Sequence, residues 1–487
     1  MQSYRVLFVS AEVSPFAKVG GLADVAGSLP KALKQLGHEV TVVMPAYQMV
    51  LDDPRWVISD VAASIPVSIN PEWQVNAWVK ETNMDGVRVL LIGGADFFTR
   101  ATSSERVYLP GVEQYLFLSE ATLQVAKALD LRPDVVHCND WQTGFIPVLM
   151  REKYAQIWSR TASIFTIHNL AYQGEFDLHI LDQLKLSRRL FNSEQLETWG
   201  RVNFLKAGCV YADQVNTVSP RYAEEIQTPQ FGCALEGLMV HLAKHDRLDG
   251  ILNGLDLEAF DPENDPALPA SFSLEDESGK ITCKARLQSE LELPVKPSVP
   301  LLGIVSRLST QKGLDLVLEI IPRLAELPAQ LIVQGLGDPA IADRLRDLAK
   351  AFPDCLRFVE EFNAELAQRV YAGCDMFLMP SAFEPCGLGQ MIAMRYGTVP
   401  IVRMTGGLAD TVFEGDNGFV FEQSSAEELW KAIVRASEAF ATRTQWGLYV
   451  SAGMSADFSW DKSAVEYADL YSRAIGARSV VFEAAAS

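Results

Sequence analysis

The feature that most constrains the fold of this chain is the alternation of short, continuously apolar runs with longer segments of helical length. Residues that are apolar at consecutive positions, rather than at alternate ones, indicate strands buried on both faces, as in a parallel sheet covered by helices. Two successive series of such runs predict an α/β protein with two doubly wound, Rossmann-like domains. The candidate strands are 6–9, 40–44, 87–92, 135–137, 163–167 and 214–217 in the first half, and 301–305, 330–334, 357–359, 376–379 and 400–402 in the second.

A change in composition marks the boundary between the two series. Residues 260–279 are rich in proline and acidic residues and lack periodicity. The length of 487 residues also exceeds what one hydrophobic core usually serves. We predict an N-terminal domain over 1–252 and a C-terminal domain over 253–462. The last segment, 463–487, is expected to form a helix that crosses back to the first domain, followed by a frayed tail from Val480.

Charge and cysteine usage limit the partners and the compartment. The chain has 42 basic and 62 acidic residues, a formal charge of −20, and no basic run, which argues against nucleic acid or an anionic membrane as a partner. Seven scattered cysteines without a C-x-x-C pair favour a reducing compartment. No apolar run reaches the ~20 residues that a spanning helix needs, and the sequence shows no signal peptide. We expect a soluble, cytoplasmic protein, or a stromal one if a plastid transit peptide has been removed.

The turn Pro380–Gln390 carries the strongest local signal. It joins the apolar run 376–379 to a helical run and contains Glu384 between two prolines, followed by Gly387 and Gly389. Ligands of open α/β sheets bind at the carboxyl ends of strands, where the N–H groups of a helix N-terminus favour anions. The turn is predicted to hold a sugar nucleotide with Glu384 on the sugar. For such a turn taken alone, an ordinary strand–helix turn with an incidental glutamate is the more frequent case, so the prediction depends on the rest of the chain.

Two copies of one short motif are predicted to lie at helix starts. Gly20-Gly-Leu-Ala-Asp24 recurs as residues 406–410. Paired glycines let backbone N–H groups approach an oxyanion, and Lys18 adds a point charge beside the first pair. Two helix N-termini would suit a phosphate-bearing ligand. Neither copy is a Walker A sequence, and the missing G-x-G-x-x-G argues against a nicotinamide oxidoreductase.

Polar residues follow three further predicted strands. Asp140 and Trp141 form a carboxylate–indole pair of the kind that holds sugars, although an N-capping aspartate and a buried tryptophan would look the same. His168 ends another apolar strand and is as consistent with a structural role as with a functional one. Arg307 and Lys312 flank a turn that leads into a helix, where two cations fit a diphosphate and neutralise charge as it departs.

With these stretches assembled, the chain resembles the bacterial glycogen synthases and plant starch synthases. The resemblance runs from Val6 to about Tyr471 and is carried by the motifs Lys18–Leu22, His137–Trp141, His168–Gly174, Asn216–Pro220, Gly250–Asp256, Ser306-Arg307 with Gln311–Gly313, Phe383–Leu388 and Thr405–Leu408. It implies a retaining GT-B glucosyltransferase with two Rossmann-like domains facing a deep cleft. The implied reaction transfers glucose from ADP-glucose to the non-reducing end of an α-1,4-glucan such as glycogen, starch or a malto-oligosaccharide.

The resemblance also implies roles for individual residues. Arg307 and Lys312 would hold the distal phosphate and stabilise departing ADP, with His168 and Glu384 completing the catalytic set. Glu384 is expected to act as a sugar ligand and electrostatic stabiliser, with a covalent nucleophile as the alternative. No metal or other cofactor is expected, because the two cations supply the positive charge. The substrate- and nucleotide-binding set is Lys18, Gly20, Gly21, Asp24, Asp140, Asn169, Asn253, Phe362, Cys386, Gly387, Leu388 and Thr405, with Phe362 as the aromatic that stacks on the nucleotide.

Several positions depart from the family pattern. Val19 replaces a common threonine, as in the branch that includes the type III and IV plant enzymes, and Gln142, Glu361 and Gly389 replace the usual histidine, glycine and threonine. The alternatives are therefore a GT-B enzyme that uses UDP-glucose, or a protein that binds or primes glucan with weakened elongation. The presence of Glu384, Arg307 and Lys312 favours the interpretation of an active synthase. Because its residues come from two domains, the site is expected to need domain closure.

Overall fold

The computed structural model describes residues 2–69, 72–324 and 326–486, and at residues 105 and 483–486 it describes the backbone only. The described chain divides into two compact units. The first comprises the residues up to Val218, Ala223–Gly254 and the residues from Trp460 onward. The second comprises Ser219–Tyr222 and Leu255–Ser459.

The first unit is built on a mixed sheet of nine strands among the described residues, in the order β12-β11-β7-β6-β1-β2-β5-β4-β3. All neighbours are parallel except the pairs β5–β4 and β4–β3. A separate antiparallel sheet has the order β8-β10-β9. The strands are β1 (Arg5–Val9), β2 (Glu39–Pro45), β3 (Ser59–Ser68), β4 (Gln74–Met84), β5 (Val87–Gly93), β6 (Val135–Asn139), β7 (Ala162–Ile167), β8 (Glu175–Phe176), β9 (Glu197–Thr198), β10 (Arg201–Asn203), β11 (Gln214–Thr217) and β12 (Leu248–Gly250).

Helices connect the parallel strands and bury one face each. In α1, apolar residues spaced three or four apart, such as Leu22, Val25, Leu29 and Leu33, are buried. Up to residue 254 the helices are α1 (Gly21–Gln35), α2 (Gln48–Leu51), α3 (Glu113–Ala128), α4 (Phe145–Val148), α5 (Ala155–Trp158), α6 (His179–Gln183), α7 (Phe204–Tyr211), α8 (Pro220–Glu225) and α9 (Glu236–Lys244).

The second unit is built on a fully parallel sheet with the order β15-β14-β13-β16-β17-β18. Local capping sets several helix starts, since the side chains of Asp338, Asn363 and Ser425 each accept a first-turn N–H. The strands are β13 (Leu301–Val305), β14 (Gln330–Gln334), β15 (Leu356–Val359), β16 (Met376–Met379), β17 (Val399–Arg403) and β18 (Phe419–Phe421). The helices are α10 (Ser278–Glu290), α11 (Leu314–Leu324), α12 (Pro339–Ala351), α13 (Ala364–Gly373), α14 (Gly389–Arg395), α15 (Gly406–Thr411), α16 (Ala426–Phe440) and α17 (Arg443–Ser455).

The last helix, α18 (Trp460–Ala486), belongs to the first unit and packs against α1, β7 and β11. Two of its tyrosines, Tyr467 and Tyr471, enter a buried chain of hydrogen bonds. Tyr471 OH lies 2.7 Å from His137 Nδ1, and His137 Nε2 lies 2.6 Å from Thr166 Oγ1. Thr166 donates to Asn216 Oδ1 at 2.6 Å, and Asn216 Nδ2 donates to Tyr467 OH at 3.1 Å.

The hydrogen-bond partners of His137 determine which of its ring nitrogens carries the proton. Because Thr166 donates its hydroxyl proton to Asn216, the hydroxyl oxygen of Thr166 must accept from His137 Nε2–H. This leaves His137 Nδ1 to accept from Tyr471. Burial lowers the pKa of His137 to about 3, so the ring is neutral, as this tautomer requires. A complete polar chain therefore joins the C-terminal helix to β6, β7 and β11.

The eleven predicted strands are all confirmed, most of them with one or two further residues at an end. The sequence analysis missed β3 and β4, whose buried residues stand mostly at alternate positions, as in antiparallel strands with one face toward the core. It also missed the five strands of two or three residues, β8, β9, β10, β12 and β18. The residues from Val480, which the sequence analysis predicted as a frayed tail, continue α18 to Ala486 in the structure. None of the helices in the described part of the chain is both long and apolar enough to cross a membrane.

Substituting Tyr471→Phe is expected to lower the free energy of unfolding by about 1 to 2 kcal/mol, because His137 Nδ1 is left buried without a donor. Thermal and urea unfolding of the purified variant measure this. Tyr172→Phe, at a half-exposed tyrosine, is the control and should leave stability unchanged. Equal stability of Tyr471→Phe and the wild type would show that the hydrogen bond contributes nothing to docking of α18.

Candidate active site

The predicted residues of the first unit lie at the carboxyl edge of its main sheet. Asp140 directly follows β6, His168 and Asn169 follow β7, and Asn253 follows β12. The loop that carries Lys18 follows β1. Since β7, β6 and β1 are neighbours in a parallel sheet, these side chains are brought to one edge, where α/β sheets bind ligands.

Asp140 is a buried carboxylate with a left-handed backbone, at φ 54°. Its Oδ1 accepts the backbone N–H of His168 at 2.8 Å, and the N–H of Asn169 also donates to the carboxylate. Burial raises the pKa of Asp140 to about 7; the two N–H donors oppose this, and the nearby Glu12 carboxylate adds to it. The carboxylate thus holds the loop after β7 in place.

His168 is also held in one orientation. Asn139 donates its amide to the carbonyl of Val9 at 3.0 Å, so its Oδ1 faces His168 Nε2, 2.9 Å away. Nε2 therefore carries the ring proton, and Nδ1 keeps a lone pair. Burial lowers the pKa of His168 to about 3, so the imidazole is neutral at physiological pH. Such a ring can accept a hydroxyl proton in a hydrogen bond.

The glycine loop after β1 is anchored by Glu12. The Glu12 carboxylate is buried and accepts the N–H groups of Val19 at 2.6 Å and Gly20 at 2.8 Å, and it also accepts from the hydroxyl of Tyr108. Lys18 Nζ lies 2.6 Å from Asp24 Oδ1, a pair exposed to solvent. Gly20 caps α1 and Gly21 begins it, and a Cβ at either position would meet no atom within 4 Å. The backbone beside these glycines is open.

Asn253 is the remaining predicted residue of the first unit. It is 6% exposed, and its Oδ1 is buried without a hydrogen-bond partner among the described residues. A buried amide oxygen in this condition needs an explanation. Since the oxygen itself is buried, a ligand hydroxyl could reach it only after its neighbours move.

At the carboxyl edge of the second unit's sheet, Lys312 and Glu384 form an ion pair. Lys312 Nζ lies 2.6 Å from Glu384 Oε2, and Ser381 Oγ donates to the same oxygen at 3.0 Å. Glu384 is only 6% exposed. The pair brings together the turns after β13 and β16, which are neighbours in the sheet.

Three turns of the second unit pack tightly around this pair. Gly313 has φ 70° and lies so close to the Pro380 carbonyl that a Cβ would approach its oxygen to 2.1 Å. Ala382 N–H donates to Gln311 O at 2.8 Å. After β17, Gly406 has φ 45°, and a Cβ there would meet Glu384 O at 1.9 Å, while Gly407 N–H donates to that oxygen at 3.1 Å. The second glycine pair therefore packs directly against the backbone of the turn that carries Glu384.

The other predicted residues of the second unit vary in exposure. Arg307, after β13, is exposed and has no ion pair among the described residues. Phe362, after β15, is 82% exposed. The group after β16 and β17 comprises buried Cys386, Gly387 at φ 73°, half-buried Leu388 and buried Thr405, which caps α15.

Comparison with known proteins decides the family. Residues 5–241 match the starch synthase catalytic domain and residues 299–439 match glycosyl transferases group 1. The chain is 45% identical to a glycogen synthase of Desulforudis audaxviator, with 96% of each chain covered. It is 43% identical to a glycogen synthase of Thermotoga maritima, over 97% of this chain and 99% of that one. The chain belongs to the glycogen synthase and starch synthase family.

Solved structures agree with this assignment. The catalytic domain of starch synthase IV from Arabidopsis thaliana, bound to ADP and acarbose, is 33% identical with a TM-score of 0.90, covering 98% of this chain and 100% of that one. A sucrose-phosphate synthase from Thermosynechococcus elongatus, at 19% identity and a TM-score of 0.60, shares the fold. As a family member with the two-domain GT-B fold, the chain is a glycosyltransferase of the glycogen and starch synthase type.

Three residues of this family member's site escaped the sequence analysis. Glu12, Asn139 and Ser381 anchor the predicted residues but were given no role. Asn139 and Ser381 lie within motifs that were identified, and Glu12 lies three residues after β1, so proximity to a strand end was the available signal. Which of these polar side chains turns toward its motif depends on contacts across the sheet, as in the bond from Asn139 to Val9.

Substituting Lys312→Met is expected to lower the free energy of unfolding by about 2 to 4 kcal/mol, because the buried Glu384 carboxylate loses its cation. The double variant Lys312→Met with Glu384→Gln should recover most of this loss, since a neutral amide needs no counter-charge. Denaturant unfolding of the three proteins measures the effect. Lys350→Met, at an exposed pair with Asp347, is the control and should change stability little. No recovery in the double variant would contradict the account.

Asp140 is expected to make stability depend on pH. Its folded-state pKa of about 7 lies above the ordinary value of 3.8, so the folded protein retains a proton that the unfolded chain releases. This contribution is fully present below about pH 4 and is lost as pH rises to about 7. Relative to Asp140→Asn, the wild type should therefore lose stability between pH 5 and pH 7.5, measured by urea midpoints. Asp96→Asn, at an exposed aspartate, should show no such difference. Parallel pH curves for the wild type and Asp140→Asn would refute this.

Proposed function

We propose that this enzyme transfers glucose from ADP-glucose to the non-reducing end of an α-1,4-glucan, with retention of configuration. The observation that carries the proposal is the buried Lys312–Glu384 ion pair at the carboxyl edge of the second unit's sheet. It places a cation directly beside the carboxylate to which sugar binding is assigned. The structural relative bound to ADP and acarbose, a nucleotide and a saccharide, supports the same pair of ligands.

The proposed roles in the second unit follow from charge and exposure. Arg307, exposed and without an internal ion pair, and Lys312 hold the diphosphate and neutralise its charge as ADP departs. Glu384 accepts hydroxyl groups of the glucose. Its Oε2 is already engaged by Lys312 and Ser381, which favours a ligand and electrostatic stabiliser over a covalent nucleophile. Phe362 presents an open ring face for the base. Cys386, Gly387, Leu388 and Thr405 complete the donor-binding set.

In the first unit, the proposed role of the polar residues is to bind the sugar and the phosphate by hydrogen bonds. Neutral His168 accepts a hydroxyl proton of the sugar, and Asn169 and Asn253 belong to the same sugar-binding set. Lys18 and the backbone N–H of Gly21 bind phosphate or sugar oxygens, and Asp24 positions the lysine. Gly20, whose own N–H is engaged by Glu12, leaves the space beside them open. Asp140 is assigned to the acceptor side.

In the proposed reaction, the bond between glucose C1 and the distal phosphate oxygen breaks, and its electron pair stays with ADP. The acceptor 4-hydroxyl forms the new bond to C1 from the same face. Its proton passes to the departing phosphate oxygen. The protein's contribution is to orient both substrates and to stabilise the negative charge that develops on the phosphate.

The proposed compartment is a reducing one. All seven cysteines lie in the described part of the chain, none of them forms a disulfide, and six of them are buried. This supports the cytoplasm as the place of action.

The decisive experiment supplies purified enzyme with labelled ADP-glucose or UDP-glucose and with glycogen or maltotriose. We expect incorporation from ADP-glucose into glycogen, and a loss of kcat of about 10² to 10³ in Arg307→Ala and in Glu384→Ala, because each removes a group that stabilises the transition state. Arg344→Ala, at another exposed arginine of the second unit, is the matched control and should retain full activity. Incorporation from UDP-glucose alone would replace the donor assignment, and full activity of Glu384→Ala would remove that residue from the mechanism.

A further inference from the structure

The tip of the β9–β10 hairpin carries an aromatic side chain that has no role in the proposed reaction. Trp199 is 82% exposed, compared with 51% for Tyr172 and 39% for Trp73, the other aromatics of the first unit that stand out as exposed. Neither the ring nor the indole N–H of Trp199 has a partner among the residues that the structure describes. Tryptophan is highly buried on average, and at this exposure the whole ring face of Trp199 is available to a ligand.

The backbone at Trp199 is also unfavourable for a tryptophan. Thr198 pairs with Arg201, which leaves Trp199 and Gly200 as a two-residue loop. Their φ values of 51° and 78° are both positive, as a type I′ turn requires. Asparagine is preferred at the first of these positions, whereas a bulky side chain there is a conformational outlier. The turn would form more readily with another residue, so stability does not explain the tryptophan.

The hairpin is fixed to the part of the first unit assigned to the acceptor. Strand β10 pairs with β8, with Asn203 opposite Glu175. Gly174, just before β8, lies against the ring of Trp141, where a Cβ would approach within 2.2 Å. Trp141 follows Asp140. Trp199 is four residues from Asn203 along the hairpin, a distance of at most about 13 Å at strand spacing.

Further contacts make the hairpin tip rigid. Gly200 N–H donates to Glu197 Oε1 at 2.6 Å, which closes the turn. Arg201 donates to Asp177 Oδ1 at 3.2 Å and to the carbonyl of Glu175 at 3.2 Å, which ties β10 to the segment after Gly174. A rigid aromatic platform loses little conformational entropy on binding.

We propose that Trp199 is a second binding site for the α-1,4-glucan, outside the catalytic residues. The indole face stacks on the apolar C–H face of a glucose unit, and the sugar hydroxyls remain in water. A branched polymer held at this point raises the effective concentration of its chain ends at the acceptor side. The inference rests on the proposed function, because that function supplies the glucan.

The variant Trp199→Asn tests the proposal, because it removes the ring while giving the turn its preferred residue. We expect the melting temperature to equal or exceed that of the wild type. Retardation of the protein in native gels containing glycogen should weaken, with the apparent Kd rising roughly ten-fold. The apparent KM for glycogen should rise by a similar factor. The KM for ADP-glucose and the kcat with maltotriose, a ligand too short to profit from a second site, should not change.

Two matched variants complete the test. Trp199→Phe keeps a ring and should bind glycogen more tightly than Trp199→Asn. Val57→Asn removes another exposed apolar side chain of the first unit, 89% exposed, and should behave as the wild type. Unchanged gel retardation and KM for glycogen in Trp199→Asn would overturn the proposal. A lower melting temperature, or a change of oligomeric state on gel filtration, would also overturn it, because Trp199 would then support the fold or a subunit contact.

Failure of this inference and failure of the proposed function give different results. If the wild type incorporates glucose into glycogen but Trp199→Asn does so with the same KM, only the second site is refuted. If no donor gives incorporation while gel retardation still depends on Trp199, the binding site stands and the synthase activity is refuted.

Discussion

Three buried carboxylates determine how the loops at both sheet edges are arranged. Glu12, Asp140 and Glu384 are 3%, 8% and 6% exposed, and a carboxylate removed from water is costly unless it is paired or hydrogen-bonded. Each recruits a different kind of donor. Glu12 takes backbone N–H groups of the glycine loop and a tyrosine hydroxyl, Asp140 takes the N–H groups that follow β7, and Glu384 takes Lys312 and Ser381. Each carboxylate needs hydrogen-bond donors, and the loop that supplies these donors is thereby held in place. The proposed ligand-binding residues on these loops are therefore ordered before a substrate binds.

The repeated Gly-Gly-Leu-Ala-Asp motif shows how one sequence serves two different purposes. At Gly20 and Gly21, a Cβ would meet nothing within 4 Å, so the absence of side chains leaves open space beside a helix start. At Gly406 and Gly407, a Cβ would collide with the backbone of Glu384 and Cys386. The first pair is suited to the approach of a ligand, whereas the second is required for packing. Identical residues begin a helix in both units, but their surroundings decide what the glycines do.

The sequence predicted eleven of the thirteen parallel strands of the described residues, and the strand-end residues, because both depend on local patterns. The two parallel strands that it missed, β12 and β18, are only three residues long. Continuous apolarity identifies a strand buried on two faces, and a parallel sheet then brings residues such as His168 and Asp140 to one edge whatever the loop conformation. The anchoring residues could not be predicted in this way. The bond from Tyr108 to Glu12 joins positions far apart in sequence, and the hairpin of Trp199 consists of strands two and three residues long, too short for a periodic signal. The antiparallel strands β3 and β4 were missed because the rule for buried strands does not apply to a sheet edge covered on one face.

The neutral state of the buried histidines bears on where the acceptor proton goes. In the first unit, burial holds the pKa of His168 at about 3, and its Nε2 proton is engaged by Asn139. A phosphate monoester has a second pKa of about 6 in water, so the departing phosphate oxygen of the proposed reaction is a stronger base than this imidazole. Asp140 is more basic, but backbone N–H groups of the β7 loop already occupy its carboxylate, and proton uptake would weaken those bonds. In the proposed reaction, transfer of the acceptor proton to the leaving phosphate therefore requires no rearrangement of the protein, whereas protonation of Asp140 would weaken the bonds that hold the loop with the proposed sugar-binding residues.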